Sequence, residues 1–62
     1  MTNQTALELI QAAFGFQNLT LVTFTHTEHS LVAICWIGQL EYAIGVCLPS
    51  GKLQFAHTMA RV

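Results

Sequence analysis

TFTHTEHSLVAICWIG, residues 23–38, is the stretch that decides the fold. Its first residues alternate threonine with other side chains, which is typical of a half-buried β-strand. After Glu28 and His29 the run SLVAICWIG is apolar on both faces, as in a strand that is buried on both sides. A two-residue connection between two such runs forces them to pair as antiparallel neighbours. The stretch therefore predicts a β-hairpin.

Strand-like residue patterns continue on both sides of this hairpin. The runs LTLVTFTHT, EYAIGVCLP and KLQFAHTMARV have strand patterns, and the short segments between runs (EH, then GQ or QL, then PSG) are turns. We predict strands over about 19–27, 30–38, 41–48 and 52–61, and one helix over about 3–14. The whole chain, 1–62, is then a single α+β domain. Its N-terminal helix packs on one face of a four-stranded antiparallel meander, in the order α-β-β-β-β.

The predicted helix has signals at both ends. Thr2, Asn3 or Thr5 can cap its N-terminus, and Thr5 with Glu8 fits the S/T-x-x-E capping box. Gly15 is a suitable C-terminal stop. Apolar residues recur at helical spacing between these ends, so the helix has one face to bury against the sheet.

Turns at 28–29, 39–40 and 49–51, with Gly51 left-handed, define a register for the strands. This register pairs His26 with Leu31, Val22 with Cys35, Trp36 with Ala43, Ile34 with Gly45, Gly45 with Phe55, and Ala43 with His57. One face then carries Val22, Phe24, Leu31, Ala33, Cys35, Ile37, Tyr42, Ile44, Val46 and Leu48. The second face carries Leu21, Thr23, Thr25, Val32, Ile34, Trp36, Ala43, Gly45, Cys47, Leu53, Phe55, His57 and Met59.

The composition of the chain indicates that the second face is not exposed to water. Of the 62 residues 53% are hydrophobic and only 8% are charged, against roughly 25% charged in an ordinary soluble domain. One short helix can cover one face of a sheet but not two. We therefore expect oligomerisation, as a dimer or a higher assembly, to bury the second face. The predicted interface residues are Val32, Ile34, Trp36, Leu53, Phe55 and Met59.

Charge and hydropathy exclude two classes of partner. With two basic residues and a net charge of −1, the chain has no basic stripe for nucleic acid. Its longest apolar run, residues 31–38, is far shorter than the ~20 residues of a membrane-spanning helix. The N-terminus lacks the basic start and apolar core of a signal peptide. We expect a cytoplasmic protein with reduced cysteines and no cofactor.

Candidate metal ligands and nucleophiles are few. His26 and His29, beside Glu28, could hold a transition metal. The spacing HxxH also fits polar residues at an exposed turn, and no second Cys or His motif completes a metal site. Cys47 and His57 share the second face and could form a nucleophile pair, which requires hydrogen-bond contact between them. No orienting acid accompanies them, so we predict a non-enzymatic protein, with a Cys/His activity as the alternative.

A candidate binding site surrounds His57. In the predicted register the side chains of Trp36, His57, Thr23, Thr25 and Phe55 surround the small residues Ala43 and Gly45. Such a group could form a shallow pocket for a planar ligand. The simpler interpretation is that the His57 imidazole makes a hydrogen bond within a subunit interface.

Two functions follow from these features. The first is an oligomeric binding or inhibitor protein that sequesters or blocks a protein partner, of the size that phages and mobile elements encode against host systems. The second is a protein that binds a planar or nucleotide-like small molecule in pockets between subunits. A highly phosphorylated ligand would find only Lys52 and Arg61 as counter-charges.

Overall fold

The computed structural model describes residues 1–60 and confirms the predicted order of elements. The helix α1 is followed by four strands in one antiparallel sheet, in the spatial order β1-β2-β3-β4. The predicted last residue of the fourth strand, Arg61, lies outside the described residues. The elements are α1 Asn3–Phe14, β1 Thr20–His26, β2 Ser30–Ile37, β3 Leu40–Cys47 and β4 Leu53–Ala60.

The helix begins one turn earlier than its capping box implies. Thr2 is the N-cap, and its hydroxyl oxygen accepts a hydrogen bond from the Thr5 backbone N–H at 3.1 Å. The capping box with Thr5 as its cap is therefore wrong, because Thr5 lies inside the helix. The Glu8 carboxylate instead accepts a hydrogen bond from the Gln4 side-chain amide at 3.0 Å. At the other end Gly15 is the C-cap, as predicted.

The core lies between α1 and one face of the sheet. Two helix residues, Ala6 and Ile10, are fully buried against residues of the two central strands. These strand residues are Leu31, Ala33, Cys35, Ile44 and Val46. The opposite face carries no helix, and we call it the open face. Its members are Thr20, Thr23, Thr25, Ser30, Val32, Ile34, Trp36, Glu41, Ala43, Gly45, Cys47, Phe55, His57 and Met59, and Cys47 is thus on its predicted face.

The turn between β2 and β3 lies at Gly38 and Gln39, not at Gln39 and Leu40. Gly38 has a φ of 60°, and a left-handed glycine at this first central position is what a type II′ hairpin turn requires. The predicted partners across this hairpin are wrong by two residues: Trp36 pairs with Glu41 and Ile34 with Ala43. A shift of two leaves every side chain on its predicted face, because the side-chain period of a strand is two.

A bulge in β1 exchanges the predicted faces of Leu21 and Val22. The chain pairs Leu21 with Cys35 and Thr23 with Ile34, so Val22 has no partner of its own. The prediction that Val22 packs beside Cys35 is wrong, because the extra residue turns Leu21 toward the core instead. Val22 is 45% exposed. Nearer the turn the predicted pairing of His26 with Leu31 is confirmed.

The turn between β3 and β4 is one residue longer than predicted. The Cys47 N–H donates to the Lys52 carbonyl at 2.8 Å, which encloses four residues, 48–51, including the predicted left-handed Gly51 with φ 72°. A bulge at residue 54 of β4 compensates for the longer turn. The predicted pairs Gly45–Phe55 and Ala43–His57 are therefore confirmed. Leu53, predicted for the second face, instead pairs with the core residue Val46.

Candidate functional site: the open face of the sheet

The open face is organised in three rows that run across the strands. The first row is Thr25, Val32, Gly45 and Phe55, the second is Thr23, Ile34, Ala43 and His57, and the third is Thr20, Trp36, Glu41 and Met59. The pair Ser30–Cys47 lies next to the first row. Each row takes one residue from each strand that it crosses, so its members are cross-strand neighbours about 5 Å apart. The rows join the apolar side chains of β2 to those of β4 in one continuous patch.

Large apolar side chains on this face are exposed. Val32, Trp36 and Phe55 are each 36% exposed and Met59 is 57% exposed, while Ile34 is half-buried. Leaving a large apolar side chain in water forgoes ~1.5–3 kcal/mol relative to full burial. Five of the six predicted interface residues thus lie together on the open face. The sixth, Leu53, is exposed in the row of Val46 on the other side of the sheet.

Trp36 is anchored to the neighbouring strand. Its indole Nε1–H donates to Glu41 Oε1 at 2.9 Å, between two residues that the register places directly opposite each other. The hydrogen bond holds the ring along the sheet and uses the carboxylate, which is the one acidic group of the open face. Sequence reasoning missed Glu41 as a site residue. The alternative turn at Gly38 and Gln39, which the sequence also allows, places the two side chains opposite each other.

The predicted pocket around His57 is only partly assembled. His57 lies beside Phe55, with ring centroids 5.4 Å apart. Trp36 lies in a different row from both, because its partner is Glu41 and not Ala43. The small floor of the predicted pocket is also occupied, since the Phe55 ring covers Gly45.

The threonines of the predicted pocket lie at the far edge of the same rows. Thr23 shares a row with His57, but Ile34 and Ala43 lie between them, and Thr25 is likewise separated from Phe55. With two strands between β1 and β4, the separation is on the order of 14 Å. The structure therefore brings His57 and Phe55 together and leaves Trp36, Thr23 and Thr25 apart from them.

A groove elsewhere on the surface was not foreseen. It has a volume of about 360 Å³ and lies between the first turns of α1 and strand β1. The bulge at Val22 falls inside this groove, and bulges give no compositional signal that a sequence could reveal. Its lining residues are Asn3, Gln4, Leu7, Leu19, Thr20, Leu21, Val22 and Thr23, none of them charged.

The histidines near the first turn have local partners. His29 Nε2 lies 3.8 Å from Glu28 Oε2, and both side chains are largely exposed. The His26 ring stacks on Phe24 with centroids 6.3 Å apart. Within residues 1–60 no three histidine, cysteine, aspartate or glutamate side chains are grouped to hold a metal ion.

The two cysteines are free thiols in different surroundings. Burial raises the pKa of the Cys35 thiol. Hydrogen bonds with the side chain and backbone of Ser50 lower the pKa of Cys47, and the charge of Lys52 acts in the same direction. His57 pairs with Ala43, four residues along β3 from Cys47, which is about 13 Å at ~3.3 Å per residue. The predicted Cys47–His57 pair is therefore not in hydrogen-bond contact.

Comparisons with protein-family models, with curated proteins and with solved structures found no match for this chain. Within the described residues no helix is long and apolar enough to cross a membrane.

Proposed function

We propose that the protein is a small non-enzymatic binding protein that works as a homo-oligomer and sequesters or blocks a protein partner. The observation that carries the proposal is the continuous exposed patch of Val32, Trp36, Phe55 and Met59 on the open face. Exposed apolar patches of this kind, on a face without covering structure, mark protein interaction sites. Tryptophan and methionine are enriched at such interfaces.

A second copy of the chain is the occupant that fits this face best. In a two-fold symmetric interface each surface meets its own copy, so charged groups would meet like charges. The open face carries one carboxylate, Glu41, and its oxygen already accepts from Trp36. The apolar residues of the patch, Val32, Trp36, Phe55 and Met59, carry no charge, and self-association therefore meets little electrostatic opposition.

The size of the face agrees with a dimer. The molecule measures 33 × 20 × 19 Å along its principal axes, so a broad side offers on the order of 650 Å², near the ~800 Å² that each partner contributes to a standard interface. Homodimer interfaces are more apolar than transient ones. Sheet-on-sheet packing of two open faces would enclose the four exposed side chains in a core ~10 Å thick.

The sparse charge of the chain bears on how an oligomer would recognise the partner that it blocks. With five charged residues in the chain, an oligomer would recognise a partner by shape and apolar contact and little by electrostatic steering. Small size and few charges are the features shared with inhibitors encoded by phages and mobile elements. Two free thiols agree with a cytoplasmic location, where thiols stay reduced.

A small-molecule-binding protein is the second candidate function. The groove between α1 and β1 favours it, because about 360 Å³ falls within the ~300–1,000 Å³ of known ligand sites. Its uncharged lining suits a neutral molecule rather than a phosphorylated one. A ligand that occupies it would raise the midpoint of thermal unfolding, and the rise would grow with the logarithm of the ligand concentration above Kd.

The solution mass tests the main proposal. We expect wild-type protein to be a dimer or a larger assembly by light scattering and native mass spectrometry, and Trp36→Ser or Phe55→Ser to lower that mass. Leu40→Ser is the matched control, because Leu40 is 40% exposed but pairs with Ile37 on the helix side. A wild-type monomer at all concentrations, or an equal effect of the three variants, would overturn the proposal.

A further inference from the structure

Strand β4 forms an edge of the sheet and is exposed on both of its sides. It pairs with β3 alone within the sheet, so its other edge presents backbone N–H and C=O groups without ladder partners. Every side chain from Leu53 to Met59 is exposed, including those that point to the helix side of the sheet, such as Ala56 and Thr58. The strand is therefore open to contact along its edge as well as on the open face.

Two of the devices that usually prevent edge-to-edge pairing are absent from residues 53–60, and a third that β4 does carry, the bulge at residue 54, lies at one end of the strand. Residues 53–60 contain no proline and no charged side chain, and lysine and proline are the common protections of edge strands. The bulge at residue 54 leaves six consecutive residues, 55–60, paired in regular register with β3. In β1, at the other edge, the bulge at Val22 leaves only four such residues, 23–26.

We propose that β4 pairs antiparallel with β4 of a second copy about a two-fold axis through His57. In an antiparallel pair, a residue whose backbone N–H and C=O point to the free edge lies opposite another residue of the same kind. In a symmetric pair of identical strands, one residue must therefore lie opposite its own copy at the two-fold axis. An axis at His57 uses the regular run and places Phe55 opposite Met59 of the other copy. Phe55 and Met59 can then make a sulfur–aromatic contact across the axis. The same axis places Ala56 opposite Thr58 of the other copy.

The edge pairing extends the proposed function, on which it partly rests. Its axis is perpendicular to the sheet, so two copies would form one eight-stranded sheet with both open faces on the same side. Two such sheets would then stack through their open faces. An in-plane axis that runs across the strands meets the first axis at a right angle, and with this axis the assembly closes as a tetramer with D2 symmetry.

Charge substitutions on the helix side of β4 test the edge without touching the open face. The variant Ala56→Lys/Thr58→Glu places opposite charges across the proposed axis, and Ala56→Glu/Thr58→Glu places like charges there. We expect the first variant to keep the wild-type tetramer mass in native mass spectrometry at low salt. We expect the second to have half of that mass. The first variant is the matched control for two exposed substitutions at the same positions.

The outcomes separate the two interfaces. Equal masses for the two variants would overturn the edge pairing, as would a wild-type dimer that Trp36→Ser dissociates, and in this second case the proposed function stands. A wild-type dimer that resists Trp36→Ser but is dissociated by Ala56→Glu/Thr58→Glu would support the edge pairing and overturn the open-face interface. A wild-type monomer would overturn both.

Discussion

The ring of Phe55 lies directly over Gly45 on the open face, in the row that crosses β3 and β4. A Cβ at residue 45 would lie 2.6 Å from Phe55 Cδ2 and 2.8 Å from Cζ, which is inside van der Waals contact. We therefore expect Gly45→Ala to displace the ring and to lower the free energy of unfolding by about 1–3 kcal/mol. Urea denaturation at one fixed protein concentration measures this change.

The same substitution in a Phe55→Ala background is the control for the Gly45 prediction. Without the ring there is nothing to displace, and alanine is favoured over glycine in a strand by roughly 0.5–1 kcal/mol. Gly45→Ala should then be neutral or stabilising. An equal loss in both backgrounds would mean that the cost comes from the backbone at residue 45 and not from Phe55.

The contact between Phe55 and Gly45 could be predicted from the sequence, whereas other parts of the open face could not. Alternation and turn residues were enough for the order of elements, and the predicted pairs Gly45–Phe55 and Ala43–His57 are also those of the structure. In the middle hairpin, turns at 38–39 and 39–40 give the same faces, because they differ by two in register. The two turns differ only in the cross-strand partners, including that of Trp36, and this is why its bond to Glu41 was missed.

The two bulges could not be predicted from the sequence, for a different reason. A bulge inserts one residue without requiring a particular side chain, and Leu21 and Val22 are both apolar enough to fill the core position. At β4 the longer turn and the bulge cancel, so the later pairs are correct although Leu53 is not. Whether the open face is covered, and by what, depends on molecules that a single chain does not contain.

The hydrogen bond between Trp36 and Glu41 should stabilise the fold measurably. We expect a double-mutant cycle with Trp36→Phe and Glu41→Ala to give a coupling free energy of about 0.5–1.5 kcal/mol, the usual net contribution of one hydrogen bond. Both single variants are compared by urea unfolding. Glu41→Gln is the matched control, since its side-chain carbonyl can still accept from the indole and should keep about half or more of the coupling.

The bulge in β1 turns Leu21 toward the core, whereas regular alternation along the strand would turn Val22 there. Leu21 packs against the core and Val22 is 45% exposed. Leu21→Ala should therefore lower the free energy of unfolding by about 1–2 kcal/mol, because part of its apolar surface is lost from the core. Val22→Ala should change it by less than ~0.5 kcal/mol. The reverse order in thermal or urea unfolding would place Val22 in the core and remove the bulge.

The two thiols should differ sharply in reactivity. Because the hydrogen bond from Ser50 lowers the pKa of Cys47, more of this thiol is thiolate at a given pH, and the thiolate is the species that iodoacetamide alkylates. Ser50→Ala removes that bond, so the pKa of Cys47 rises and the whole rate-against-pH curve should move to higher pH. Cys35 is buried with a raised pKa and should react only when the protein unfolds.

Mass spectrometry of the alkylated peptides separates the contributions of the two cysteines. In Cys47→Ser the folded protein should take up almost no iodoacetamide, and urea should release the reactivity of Cys35. A folded Cys47→Ser variant that reacts as fast as wild type would show that Cys35 is accessible. If Ser50→Ala left the pH dependence of Cys47 alkylation unchanged, the hydroxyl of Ser50 would have no part in setting the pKa of Cys47.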